Sequence, residues 1–207
     1  IAHELNTPLA NILGFAELLT DKMTDKQSVR DLEKIMDSAI FSREIVKKLM
    51  FFACEMPQEM KRVQLIPIVT SVIKLLAPSL RDKKIKLVTT YENEDLVLQE
   101  DTVQLTQVLF NLIMNAIYYS PENGIISVKV LDTENHILLK IADQGEGIPK
   151  ELEDKVFEPF FTTKPIGEGT GLGLSVVHGI ITSHKGTIEH EQNTPKGTIF
   201  TVNFPKL

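Results

Sequence analysis

Apolar residues over the first fifty positions recur in alternating steps of four and three. Leu5, Leu9, Ile12, Ala16, Leu19 and Met23 form one such row, and Leu32, Ile35, Ala39, Ser42, Val46, Leu49 and Ala53 form a second. That spacing lines one side of a helix, so two helices are predicted, joined as a hairpin through the polar stretch "TDKMTDKQS". Further apolar residues stand beside each seam, among them Leu13, Phe15 and Leu18 on the first helix and Met36, Ile40 and Met50 on the second. Two helices cannot cover stripes so wide. Pairing with another copy into a four-helix bundle is expected, with packing on the rest of the same chain as the alternative.

The pattern changes at "CEMPQEMKRVQL", where Pro57 marks a linker. The reading divides the chain into a hairpin over 1–56, a linker and first strand over 57–66, and a second domain over 67–207. "RVQL" is a short strand candidate, and Pro67 suits the first turn of a helix running to about Leu80. "IKLVTTY" and "LVLQ" read as strands, 101–119 as a long helix, and "IISVKVL" with "HILLKIAD" as a strand pair turning at "TEN". A glycine-rich stretch then leads into a helix from about Gly171 to Ser183, followed by "GTIEHEQ" and "GTIFTVNF" joined by "NTPK". Interleaved helices and mostly hairpin-linked strands predict an α+β sandwich with helices on one face of a mixed sheet.

Composition narrows the setting. With 43% hydrophobic and 24% charged residues, the 207-residue chain falls among soluble globular proteins. A net charge of −6 argues against nucleic-acid binding, which needs clustered Lys and Arg. One cysteine, Cys54, excludes an internal disulfide and suits a reducing compartment. No apolar run reaches membrane-spanning length. The chain opens at Ile1 already inside a helical pattern, so an upstream segment is expected, and any membrane attachment would belong to it.

Three clusters in the second half carry candidate chemistry. In "QVLFNLIMNAIYYS", Asn111 and Asn115 share a helix face, where amide oxygens suit Mg²⁺; surface asparagines would read the same way. In "DQGEGIP", Asp143 ends a buried strand and can accept a hydrogen bond from an amine such as that of adenine. Gly145 and Gly147 let the backbone approach a flat ligand and bend away, although a plain turn also uses Asp and Gly. In "GEGTGLGLSVV", Gly167, Gly169, Gly171 and Gly173 run into a helix whose N-terminus suits phosphate, with a flexible loop as the alternative. A P-loop is excluded by the missing lysine and Ser/Thr ending.

The first helix has its own oddities: His3 beside Glu4, and Pro8 inside the helix. Proline cannot donate to the carbonyl of Glu4, so a bend is expected just after the histidine. A zinc-protease reading of "HELNT" fails because Thr7 stands where the second histidine belongs.

Taken in order, these segments resemble the N, G1, F and G2 boxes of the histidine protein kinases of two-component signalling, with "FEPFFTTK" at 157–164 as the F box. "IAHELNTPL" is similar to their H box. The resemblance implies a dimerisation and phosphotransfer hairpin, then an ATP-binding domain of the gyrase/MutL type with a lid from about Gly147 to Thr170. It implies His3 as phosphoacceptor, Glu4 as its acid/base partner and Thr7 in dephosphorylation of the partner. It further implies ATP and Mg²⁺ bound by Asn111, Asn115, Tyr119, Asp143, Gly145, Gly147, Lys164, Gly169, Thr170, Gly171, Leu172 and Gly173, with Asn115 as the metal ligand. The implied partners are a second copy and the receiver domain of a response regulator, in the cytoplasm.

Two positions depart from the family pattern. Tyr118 stands where many members carry a lysine that reaches a phosphate, and Lys164 is the substitute candidate. Asn6 stands where many have a basic residue. ATP hydrolysis by water is disfavoured, since the slot for its glutamate base holds Asn111. A nucleotide-binding dimeric scaffold without kinase activity is the remaining alternative.

Overall fold

The hairpin follows from its caps and its small residues. The computed structural model describes residues 2–20, 22–53, 60–165 and 168–206, except the side chains of 2–6, 41 and 43–53. Helix α1 spans Ala2–Thr20 and runs unbroken through Pro8; helix α2 spans Lys26–Ala53. α2 starts inside the stretch read as connector because Asp25 caps it. The Asp25 carboxylate accepts from the backbone N–H and Oγ of Ser28 at 2.9 and 2.8 Å, which holds its pKa below the ordinary value. Among the described side chains of the pair, Ala16 and Ala39 are the buried apolar ones, small enough to let two helices approach closely. The apolar row beside them stays uncovered: Phe15 is 67% exposed and Leu18 58%, with Ile12, Leu19, Ile35 and Ile40 also exposed.

The chain divides into two compact units, 1–57 and 58–207. In the second, strand β1 (Lys61–Gln64) pairs antiparallel with β3 (Val97–Glu100) as a separate two-stranded ribbon. The main sheet has the order β2-β4-β5-β7-β6, from β2 (Lys86–Tyr91), β4 (Ile125–Asp132), β5 (His136–Ala142), β7 (Thr198–Pro205) and β6 (Thr187–Gln192). β2 lies parallel to β4, and the other neighbours are antiparallel. The β4–β5 turn falls at "TEN", where Thr133 Oγ1 accepts from the His136 amide at 3.1 Å.

Alternation along the strands puts Ile126, Val128, Val130, Ile137, Leu139, Ile141, Val202 and Phe204 on one buried face. Helices α3 (Leu65–Asp82), α4 (Thr102–Tyr119) and α5 (Gly173–Ser183) contribute Leu65, Val69, Leu105, Leu109, Leu112, Ile113, Val177 and Ile181 to the same core. The mixed α+β sandwich expected from the strand and helix pattern is therefore present. The expected linker lies outside the described residues up to 59; beyond it come β1 and the first turn of α3.

The central helix, α4, is fixed at both ends. Asp101 Oδ1 accepts from Val103 and Gln104 N–H at 2.8 and 3.1 Å. At the other end Lys83 Nζ donates to the carbonyls of Ile117 (2.8 Å) and Tyr118, placing a cation on the negative end of the dipole. A buried pair ties the third helix to the ribbon: His184, the C-cap of α5, holds Nδ1 against the carboxylate of Glu100, with both side chains at least 95% buried. Among the described residues no helix is long and apolar enough to cross a membrane.

Candidate functional site

All three sequence clusters of the second unit converge on α4. Asn111 and Asn115 are half-buried on one face of it. Asn111 Nδ2 is buried with no hydrogen-bond partner among the described residues, an arrangement that native structures rarely leave without a ligand or water. Asn115 Oδ1 accepts a hydrogen bond from Lys164 Nζ at 3.2 Å.

Asp143 follows β5 directly and is 5% exposed. Its Oδ1 accepts from the backbone N–H of Gly145 at 2.8 Å and of Thr198 at 3.1 Å. Among the described residues nothing hydrogen-bonds Oδ2, which leaves one acceptor for a ligand amine. Burial pushes the carboxyl pKa above its ordinary value, and the two backbone donors oppose that shift.

The glycines serve different ends. A Cβ on Gly145 would lie 2.8 Å from the carbonyl oxygen of Tyr119, so this glycine brings the Asp143 loop against the end of α4. Gly147 adopts φ +86°, where the chain turns away. Gly169 and Gly171 are set by the preceding F-box stretch: a Cβ would stand 2.7 Å from Thr162 Oγ1 and 2.3 Å from the backbone of Phe160, and Gly171 has φ +67°. Gly173 meets only ordinary contact, 3.5 Å from Asn111 Oδ1. It opens α5 beside Asn111, and the N-cap Leu172 gives the first N–H groups of that helix no side-chain acceptor. The four glycines were expected to share one role; two of them instead pack against Thr162 and Phe160, and Gly167 lies outside the described residues.

The described parts of the stretch 157–172 meet α4 at three side chains. Besides the Lys164 bond to Asn115, Tyr119 Oη is 2.8 Å from Thr163 Oγ1, and Tyr118 Oη donates to Glu168 at 2.7 Å, which raises the Tyr118 pKa. The Lys164 ammonium lies 4.2 Å from the Tyr118 ring centre and 5.5 Å from that of Tyr119, within cation–π range. Burial lowers the Lys164 pKa, with Glu168 opposing. The sequence signalled Lys164 and the Tyr118 departure, but not that one sits on the other. Thr170 is half-buried.

In the hairpin, His3 and Glu4 belong to α1, while their side chains lie outside the described residues. Thr7 stands one helical turn after His3 on an exposed part of the helix.

This donor and acceptor set fits a nucleotide with a divalent cation. An unfilled acceptor stands at Asp143, an orphan amide N–H at Asn111, and an oxygen already chosen by a cation at Asn115. Among the described residues no three His, Cys, Asp or Glu side chains converge, so phosphates would have to complete the shell of such an ion.

Comparison with known proteins bears on both units. The family model described as "Histidine kinase-, DNA gyrase B-, and HSP90-like ATPase" matches residues 100–207, and the "His Kinase A (phospho-acceptor) domain" model matches 1–55. Sporulation kinase A of Bacillus subtilis (strain 168) is 33% identical over 207 residues, 100% of this chain and 34% of that protein. The catalytic domain of histidine kinase ThkA is 37% identical with a TM-score of 0.67, covering 72% of this chain and 96% of that one. The ThkA structure in complex with the response regulator protein TrrA is 31% identical with a TM-score of 0.71, covering 100% of this chain and 60% of that one. The chain spans only 34% to 44% of the length of the first curated relatives it matches.

Proposed function

The chain belongs to the sensor histidine kinases of two-component signalling, and on that premise we propose that it phosphorylates its own His3 from ATP and passes the phosphoryl group to an aspartate of a response regulator. The observation that supports this most is the convergence on α4 of the Asp143 acceptor, the orphan Asn111 amide and the uncapped start of α5. Those are the three features a purine nucleotide needs.

In this reading the adenine amine donates to Asp143 Oδ2, and the phosphates take the free N–H groups of α5 and the Asn111 amide. Asn115 Oδ1 would hold Mg²⁺, which when bound supplies charge neutralisation on the β- and γ-phosphates. Lys164 turns from Asn115 to the phosphates and supplies a positive charge that Tyr118 cannot. Tyr119, Thr170 and Leu172 line the same space, and Gly145 and Gly147 give it its shape.

A neutral ring nitrogen of His3 forms the new N–P bond as the bond from the γ-phosphorus to the bridging oxygen breaks and ADP leaves. Glu4 accepts the proton from the other ring nitrogen, which becomes acidic as the ring gains positive character. In the second transfer the N–P bond breaks and a carboxylate oxygen of the regulator takes the phosphoryl group. Thr7, one turn from His3, positions a water for later loss of that group from the regulator. The exposed apolar row of the hairpin is covered by a second copy.

Incubation with γ-labelled ATP and Mg²⁺ tests the reading. Acid-labile, alkali-stable label is expected on His3, absent in His3→Gln, and chased onto a receiver domain from which Thr7→Ala slows its loss. Nucleotide binding with no label, or label on another side chain, would overturn the kinase in favour of a binding scaffold.

A further inference from the structure

The direct contacts of the Lys164 ammonium are neutral, with Glu168 and Lys83 the charged groups that act on it from farther off. The ammonium donates to an amide oxygen and lies over two tyrosine rings, and among the described residues no carboxylate stands within ion-pair distance of it. Glu168 is engaged instead by the Tyr118 hydroxyl. Amide and aromatic partners hold a cation without cancelling its charge, unlike a carboxylate. The positive charge is thus fixed in place and still available to an anion.

Its position carries the second half of the argument. Asn115 Oδ1 is the oxygen assigned above to the divalent cation, and one turn earlier on the same face Asn111 borders Gly173 at the uncapped start of α5. An ammonium on that oxygen sits where phosphate charge would need compensation. We propose that Lys164, held by the Tyr118 ring, is a built-in cation at the metal position, so that this chain binds nucleotide diphosphates and triphosphates without a divalent ion. The proposal rests on the nucleotide reading of the site and adds a property of the binding step alone: phosphoryl transfer keeps its need for the metal, whereas binding does not. Tyr118 is a positioning residue here, acting through its ring on Lys164 and not by contact with the ligand.

Titration calorimetry of the full chain with ADP, once in Mg²⁺ and once in excess EDTA, tests this. The wild type is expected to bind in both, with the EDTA affinity within about 5-fold of the Mg²⁺ value, because one charge-assisted contact replaces another. Lys164→Met should lose at least about 10-fold in EDTA, the worth of a charged hydrogen bond, and much less in Mg²⁺. Tyr118→Leu, which removes the ring under the ammonium, should lower the EDTA affinity by about 3- to 10-fold. Unchanged melting temperatures of these variants would verify the fold.

Wild type that binds in Mg²⁺ but not in EDTA, or Lys164→Met that equals wild type in EDTA, overturns the built-in cation and leaves the nucleotide site standing. Wild type that binds ADP in neither buffer overturns both.

Discussion

Asp143 concentrates the conflict between stability and function. It is buried and its pKa is raised, so folding favours its protonated form. A carboxyl whose folded pKa exceeds its unfolded one contributes stability that is fully present below the unfolded pKa and is lost as pH rises through the folded value. At neutral pH the ligand-free protein carries that cost. Asp143→Asn retains an Oδ1 for the Gly145 and Thr198 amides but removes the charge and turns a donor toward the ligand amine. The melting temperature without ligand should therefore stay level or rise, and its gain on acidification should shrink. ADP affinity should fall by about 10- to 100-fold, the range of a charged hydrogen bond. Calorimetric melts beside ADP titrations read both, and parallel losses in the two would mean that Asp143 is a structural residue only.

Among the elements, α5 depends on a pair that no motif marks. Its C-cap His184 is buried against Glu100, the residue just before the α4 cap, so the pair ties two helices and the β1–β3 ribbon together. Removing one partner leaves the other buried without compensation, so His184→Ala should cost about 3–5 kcal/mol, whereas an apolar replacement of both residues should recover most of it. The three tyrosines, Tyr91, Tyr118 and Tyr119, all lie in the second unit, so a urea titration followed by tyrosine fluorescence reports on that unit alone. A single substitution that costs no more than an exposed one would remove the pair's role.

The same pair shows where sequence reading stops. Periodicity made the strands and helices legible, because alternation and the 3.6-residue repeat are local. Local chemistry also gave Asp143, the asparagine face and the glycine run. His184 and Glu100 meet across 84 positions, and Lys164 meets Asn115 across 49; neither contact leaves a local trace. The division of labour among Gly145, Gly169, Gly171 and Gly173 was hidden for the same reason, since it depends on which backbone each one faces. The early start of α2 was readable in principle: Asp25 with Ser28 three residues on is a cap signature inside a stretch that otherwise looks like a polar turn.

At the scale of the molecule, the two units are unequal in how far each satisfies itself. Among the described residues the main core, from Leu65 to Phe204, belongs to the second unit. The hairpin buries Ala16 and Ala39 while Phe15, Leu18 and Ile12 stay exposed in one row, a surface that isolated helices do not leave open to water without cost. A second copy is the partner that would bury these residues symmetrically, since each chain presents the same row. Charged residues placed there should break the association and spare the catalytic unit. Phe15→Glu with Leu18→Glu is expected to turn a dimer into a monomer by sedimentation at micromolar concentration, with the tyrosine-reported melt and ADP affinity unchanged. A wild-type chain that sediments as a monomer under the same conditions would refute pairing through this row.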